Sequence, residues 1–227
     1  MGNVHSNYPL FSPQETWDIC TRMVAHDSTF PEFAGEIACF EPYFYDVFMM
    51  ISEEHNRVKY KYYRNAEKKG IINPLYVDHY AKLMHLFSHG LFTQGADCFL
   101  LDRIFLSVKM RCSLDLFYEV EMKRFFLPLH AFGTILGRAE YGDYFVVEQN
   151  CTVGNNHGIY PTFGAGVILR PHSVVIGKCR IGDNVHISAG SMVIDRDIPD
   201  NSIVFGRVPD LIIKENRYDN RTLFFEV

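Results

Sequence analysis

Apolar positions follow two different rhythms along this chain. Between Trp17 and Val108 they recur three and four residues apart, while from Phe163 every sixth residue is apolar: Phe163, Leu169, Val175, Ile181, Ile187 and Val193. Two places before each of the last five stands a small or modest side chain: Val167, Ser173, Cys179, Val185 and Ser191. A period of six fits neither a helix face nor a simple alternating strand. It fits short strands joined by tight turns and wound into a solenoid, with one apolar column filling the interior. Gly177-Lys178 and Gly182-Asp183-Asn184 supply the backbone freedom that corners need. Upstream the column continues through Ala139, Phe145 and Cys151 and fails at His157, which predicts that a loop leaves the solenoid there.

The helical rhythm predicts an all-α region over 1–110. Ser12-Pro13-Gln14-Glu15 is a helix start with a capping-box pattern, followed by Trp17, Cys20, Met23 and Val24 on one face. Short helices are expected between Phe30 and Ile51, where Pro31 and Pro42 punctuate an aromatic-rich stretch. Asn73-Pro74 predicts another start, with Tyr80, Leu83 and Phe87 inward and Gly90 as the stop. A last helix is expected over Ala96–Met110. The basic stretch from Arg57 to Lys69, interleaved with Tyr60, Tyr62 and Tyr63, reads as a solvated helix face in preference to a phosphate or nucleic-acid patch. The fold class is thus α+β: a helical region (1–110), a parallel β-helix (111–214) and a tail (215–227).

Composition narrows the function. A net charge of −5 gives no global electrostatic case for nucleic acid. Six cysteines without a CxxC pair read as reduced, buried thiols, and no apolar run reaches the ~20 residues of a membrane span, so a cytoplasmic protein is expected. His85 and His89, four apart on one helix, have a spacing that can bind metal but no third ligand in register.

Candidate chemistry centres on His130 in Leu129-His130-Ala131-Phe132-Gly133. An imidazole on an apolar wall beside glycine is placed to act as a base near neutral pH. Asp115, fifteen residues earlier, is a carboxylate that could fix its tautomer. Backbone N–H groups near Gly133 could meet a developing oxyanion.

The run Asp115 … His130-Ala131-x-Gly133 … Cys151-Thr152-Val153-Gly154 … Pro161 … Ile181-Gly182-Asp183-Asn184 … Ser188-Ala189-Gly190-Ser191 … Gly206-x-x-Pro209 resembles the serine acetyltransferase branch of the hexapeptide-repeat acyltransferases. The resemblance covers roughly 113–214. It implies a left-handed parallel β-helix, acetyl-CoA as donor, a homotrimer or a dimer of trimers, and active sites between subunits. It implies His130 as general base, Asp115 as its orienting carboxylate, and Ala189 and Gly190 as the small-residue row along which pantetheine runs. Arg170, Arg207 and Lys214 are candidates for the donor's phosphates. The loop Asn155–Pro161 departs from the pattern in length and carries Tyr160 before the proline, so His157 and Tyr160 are the acceptor-pocket candidates. The acceptor is L-serine or, since Tyr-Pro here resembles surface-polysaccharide relatives, a sugar hydroxyl. A rival reading is a carbonic anhydrase-like, metal-dependent lyase or hydrolase on the same coil, with His157, His172 and His186 holding zinc.

Overall fold

The computed structural model describes residues 10–227, so the first nine residues of the expected helical region lie outside it. Helix α1 (Pro13–Ser28) begins where the sequence predicts. The Ser12 hydroxyl accepts from the Glu15 N–H at 3.2 Å, and the Glu15 carboxylate accepts the Ser12 N–H at 2.8 Å. Helices α2 (Phe33–Ile37) and α3 (Glu41–His55) follow, separated by one turn of 3₁₀ helix at Ala38–Phe40. α4 spans Val77–Thr93 and α5 spans Cys98–Cys112, the latter capped by Asp97, whose carboxylate accepts the Leu100 N–H. Trp17, Phe44 and Phe87 meet edge to face at 5.1–6.0 Å and centre the helical core.

Two expected helix bounds shift. α4 starts three residues after Pro74, because Tyr76, in extended conformation, is its N-cap. It also runs through Gly90 to Thr93 and stops before Gly95, which takes φ +79°. Gly90 lies inside the helix as a packing residue and not as a stop, with the Tyr43 hydroxyl where a Cβ would stand.

After α5, Ser113 takes a left-handed conformation and the chain enters the coil. Strands stack in parallel on three faces over about five turns of the left-handed hexapeptide type. One sheet runs from Leu114–Leu116 through Thr134–Leu136, Thr152–Gly154 and Val174–Ile176 to Met192–Ile194. A second runs from Leu127–Pro128 to Ser202–Phe205 and closes with Ile212–Glu215, which returns antiparallel. The third pairs Thr162–Phe163 with Arg180–Ile181. Both apolar columns are buried along their whole length, from Phe163 to Val193 and from Val167 to Ser191. Where coils cross closely only glycine fits: a Cβ on Gly164 would stand 2.2 Å from the Asp183 carboxylate.

Register partners are 18 residues apart at Ile168–His186 but 22 apart at Val146–Ile168, so one turn holds four extra residues. They form the loop expected at His157. Asn156 and Ile159 exchange both backbone hydrogen bonds at 3.0 Å, with His157 (φ +51°) and Gly158 (φ +80°) at the tip. That is a two-residue hairpin of the left-handed turn type.

The stretch 57–69 is not the helix face that its charge pattern predicts. It is an irregular strap that binds the tail: Lys59 N–H donates to the Phe224 carbonyl and Glu226 N–H to the Arg57 carbonyl, both at 2.7 Å. Arg64 pairs with Glu226 at 2.6 Å. The tail turns through α6 (Arg221–Phe224) and buries Phe224 and Phe225 against Val58, Tyr63, Leu127 and Ile168. A second apolar cluster therefore covers the outside of the second sheet, and it joins the helical region, the coil and the tail.

Candidate active site

His130 follows the strand Leu127–Pro128, and its backbone is left-handed at φ +50°. Its ring is 71 % exposed. The His130 N–H donates to Asp78, whose two carboxylate oxygens both lie 3.0 Å from the nitrogen, and Asp78 Oδ2 is 3.8 Å from the ring Nδ1. Asp78 sits in the first turn of α4 and is 3 % exposed. Burial pushes its carboxyl above the ordinary value, opposed by the His130 N–H and ring and by the Tyr76 and Tyr63 hydroxyls, all of which favour the anion.

Beneath the ring lies a cavity of about 150 Å³, lined by Val77, Ala81, Cys112, Leu114 and Phe132 and bounded by Asp78. Burial pushes the Cys112 thiol up to about 12, so at neutral pH it is a packing group and no nucleophile. Cys151 and Cys179 are likewise pushed up by burial and lie on the coil's interior.

Asp115, in the first coil strand, is ion-paired to Lys109 at 2.7 Å, and among the described residues it makes no ion pair with His130. The Gly133 N–H donates to the Ser113 carbonyl (2.9 Å) and the Phe132 N–H to the His130 carbonyl (2.6 Å). Neither of these two amides is therefore free for an oxyanion.

The small-residue row is open. Ala189 is exposed, and a Cβ on Gly190 would meet nothing within 4 Å. Gly133, Asn150, His172 and Gly190 take left-handed conformations on successive turns, and each turn's N–H donates to the turn before. The corner is thus a continuous edge. Arg207 and Lys214 are exposed, with Lys214 lying over the Phe205 ring. Arg170 is held elsewhere: it pairs with Glu148 at 2.9 Å, donates to His186 Nε2 at 3.1 Å and covers the Phe224 ring.

Tyr160 packs over Gly137, whose missing Cβ would stand 2.8 Å from its ring, and its hydroxyl accepts from Asn155 Nδ2 at 3.3 Å. His157 is exposed at the hairpin tip, near Asp195. His186 is lowered to about 4 by burial and by the Arg170 guanidinium, and its Nε2 lone pair is taken by Arg170. Among the described residues no group of three or more His, Cys, Asp or Glu is placed to hold a metal ion. The trio His157, His172 and His186 of the rival reading is therefore not assembled.

Asp78 and its neighbours carry no signal in the sequence beyond an acidic residue in a helix's first turn, an ordinary complement to the helix dipole. Beside Asp78 lies a buried polar layer. Lys82 and Glu54 pair at 2.8 Å. His79 Nδ1 accepts the Asn73 N–H at 3.0 Å, and His55 Nδ1 donates to the Ile71 carbonyl at 2.7 Å.

Fold and site together define a hexapeptide-repeat β-helix with a helical N-terminal region and an exposed histidine at the first turns of the coil. No family model matches the chain. Its sequence is similar to serine acetyltransferases: 35% identical over 89 residues to that of Synechococcus elongatus, covering 37% of this chain and 36% of the relative. To that of Bacillus pumilus it is 30% identical over 106 residues, covering 44% and 48%. The chain thus spans from about a third to a half of the length of these curated relatives. In fold it superimposes on the crystal structure of serine acetyltransferase from Vibrio cholerae with TM-score 0.71 at 18% identity, covering 92% of this chain and 82% of that one. The chain is serine acetyltransferase-like, in sequence over the 89 to 106 matched residues and in fold over nearly its whole length. No helix among the described residues is long and apolar enough to cross a membrane.

Proposed function

We propose that the protein is an acetyl-CoA-dependent O-acetyltransferase of the serine acetyltransferase type, acting on a hydroxyl acceptor with His130 as general base. L-Serine is the first acceptor to expect, with a sugar hydroxyl as the second because the loop 155–161 departs from the serine-type pattern. The observation that carries this reading is the exposed His130 ring with a buried carboxylate behind it, on a coil whose edge is open and small at Ala189 and Gly190.

His130 takes the acceptor's hydroxyl proton as that oxygen bonds to the thioester carbonyl carbon. The carbon–sulfur bond then breaks, and the imidazolium returns the proton to the departing thiolate. Such proton transfer supplies about 10²–10⁴-fold. No protein nucleophile is needed, which agrees with thiols suppressed by burial. Ala189 and Gly190 make room for the donor's thin arm, and Arg207 and Lys214 are the exposed cations for its phosphates. Assembly into a homotrimer or a pair of trimers in the cytoplasm belongs to the same proposal.

The test is a CoA-release assay with acetyl-CoA across L-serine, other hydroxy amino acids and nucleotide sugars. The expected result is turnover with at least one of them. His130→Ala should then lower kcat at least about a hundredfold while the KM for acetyl-CoA stays nearly unchanged. An equally active His130→Ala enzyme refutes the assignment.

A further inference from the structure

A histidine base needs something behind it. A ring free to rotate presents the wrong nitrogen half the time, and a proton arriving on it must be stabilised where it lands. The residue that the resemblance assigns to this task, Asp115, is on the coil and engaged by Lys109 at 2.7 Å, with its side chain 36 % exposed. The carboxylate that touches His130 comes instead from the helical region.

We infer that Asp78 is the positioning residue for His130, acting across the junction between α4 and the coil. The inference rests on the reading of His130 as the acyl-transfer base. Two contacts carry it. Both carboxylate oxygens stand 3.0 Å from the His130 N–H, and they anchor a backbone that is left-handed in a residue with a full side chain, a conformation such residues seldom adopt without support. Oδ2 lies 3.8 Å from Nδ1, too long for a hydrogen bond to the neutral ring yet within ion-pair range of the imidazolium. The attraction therefore grows as the ring takes its proton, which is when transition-state stabilisation counts. Asp78 is buried, so water screens it less than it would a surface carboxylate, while the ring it supports is 71 % exposed and open to substrate. Burial raises its carboxyl, and its place in the first turn of α4 adds the helix dipole to the His130 and tyrosine contacts that oppose that rise.

The experiment uses the full chain. Wild type, Asp78→Asn, Asp78→Glu, Asp115→Asn and His130→Ala are assayed for CoA release with acetyl-CoA and L-serine, or whichever acceptor the screen returns. The His130 backbone amide is followed by NMR and hydrogen exchange without substrates. In the wild type that amide should be shifted downfield by its carboxylate acceptor and protected from exchange. In Asp78→Asn kcat should fall at least about thirtyfold with the KM for acetyl-CoA within about twofold, and the amide should move upfield. Asp78→Glu should recover part of kcat, and Asp115→Asn should lose less than Asp78→Asn.

A wild-type His130 amide that exchanges freely overturns the inference without any variant, so a variant that fails to fold does not protect it. Asp78→Asn retaining kcat within about threefold, or Asp115→Asn losing more, overturns it as well. If His130→Ala is inactive while Asp78→Asn is active, this inference alone falls. If His130→Ala is active, the acyl-transfer reading falls with it.

Discussion

Lys82 and Glu54 form an ion pair with side chains only 2 % and 3 % exposed, on facing sides of α4 and α3. Glu54 also accepts from the Phe125 N–H at 3.1 Å and from Arg124 Nε at 3.4 Å. Burial alone would raise the Glu54 carboxyl, but Lys82, the Phe125 N–H and Arg124 outweigh it and hold the group below the ordinary value. Glu54→Gln keeps the shape and an acceptor oxygen but leaves the Lys82 ammonium buried with no counter-charge. Breaking a buried pair from one side costs about 3–5 kcal/mol. In a chain of this length each kcal/mol shifts the melting temperature by about 2–4 °C, so a fall of roughly 6–20 °C is expected. Replacing both partners by apolar side chains of similar volume, Glu54→Leu with Lys82→Met, should recover most of that loss, leaving about 1–2 kcal/mol for the orphaned Phe125 N–H. Calorimetry or circular dichroism at one protein concentration gives the readout, since any assembly makes melting concentration-dependent. A single variant melting within about 2 °C of wild type refutes the reasoning, because no uncompensated buried charge is that cheap.

Two further outcomes are open to measurement. Phe224→Ala empties a site closed over by the 57–69 strap and Arg170, and should cost about 3–5 kcal/mol and free the tail for limited proteolysis; an unchanged melting temperature and an uncut tail would show that the clasp is weak. His55, His79 and His85 are buried neutral, with His79 and His85 lowered to about 3. Between those folded values and the ordinary 6.5 the unfolded chain binds more protons, so stability is complete above pH 6.5 and is lost as the pH falls below it. At pH 5 the loss is roughly 2 kcal/mol for each of His79 and His85, and melting temperatures equal at pH 7.5 and pH 5 would contradict it.

The coil is legible in the sequence because each face of each turn points the same two positions, one large and one small, into the interior. The sixfold column from Phe163 to Val193 and its small companions are buried as the pattern requires, and the break at His157 is a hairpin. The Ser12–Glu15 cap is legible because all its partners are local. The strap at 57–69 is not. Its alternation of lysine, arginine and tyrosine is compatible with a solvated helix, and what orders it instead is the tail, about 160 residues away in sequence. Local propensity cannot report a partner that distant. The same holds for Arg170, which reads as a phosphate ligand until Glu148, His186 and Phe224 are seen to surround it.

The sequence singles out His130 by its setting, but the contact that holds its backbone leaves no such mark, and the reason lies in α4. Asp78 and Lys82 are four residues apart and hence on one face of that helix. Asp78 takes the His130 N–H directly, and Lys82 holds Glu54, which takes the Phe125 N–H. The short strand Leu127–Pro128 is thereby gripped on both sides, two residues before it by Glu54 of α3, which Lys82 holds, and two after it by Asp78 from the same face of α4 as Lys82. The two contacts that reach the coil, Asp78 to His130 and Glu54 to Phe125, join residues more than fifty apart, so a repeat pattern confined to the coil carries no trace of them. The helical region is thus more than an appendage to the β-helix. It sets the position of the strand end from which the imidazole projects, and the geometry of the site depends on a junction that no hexapeptide records.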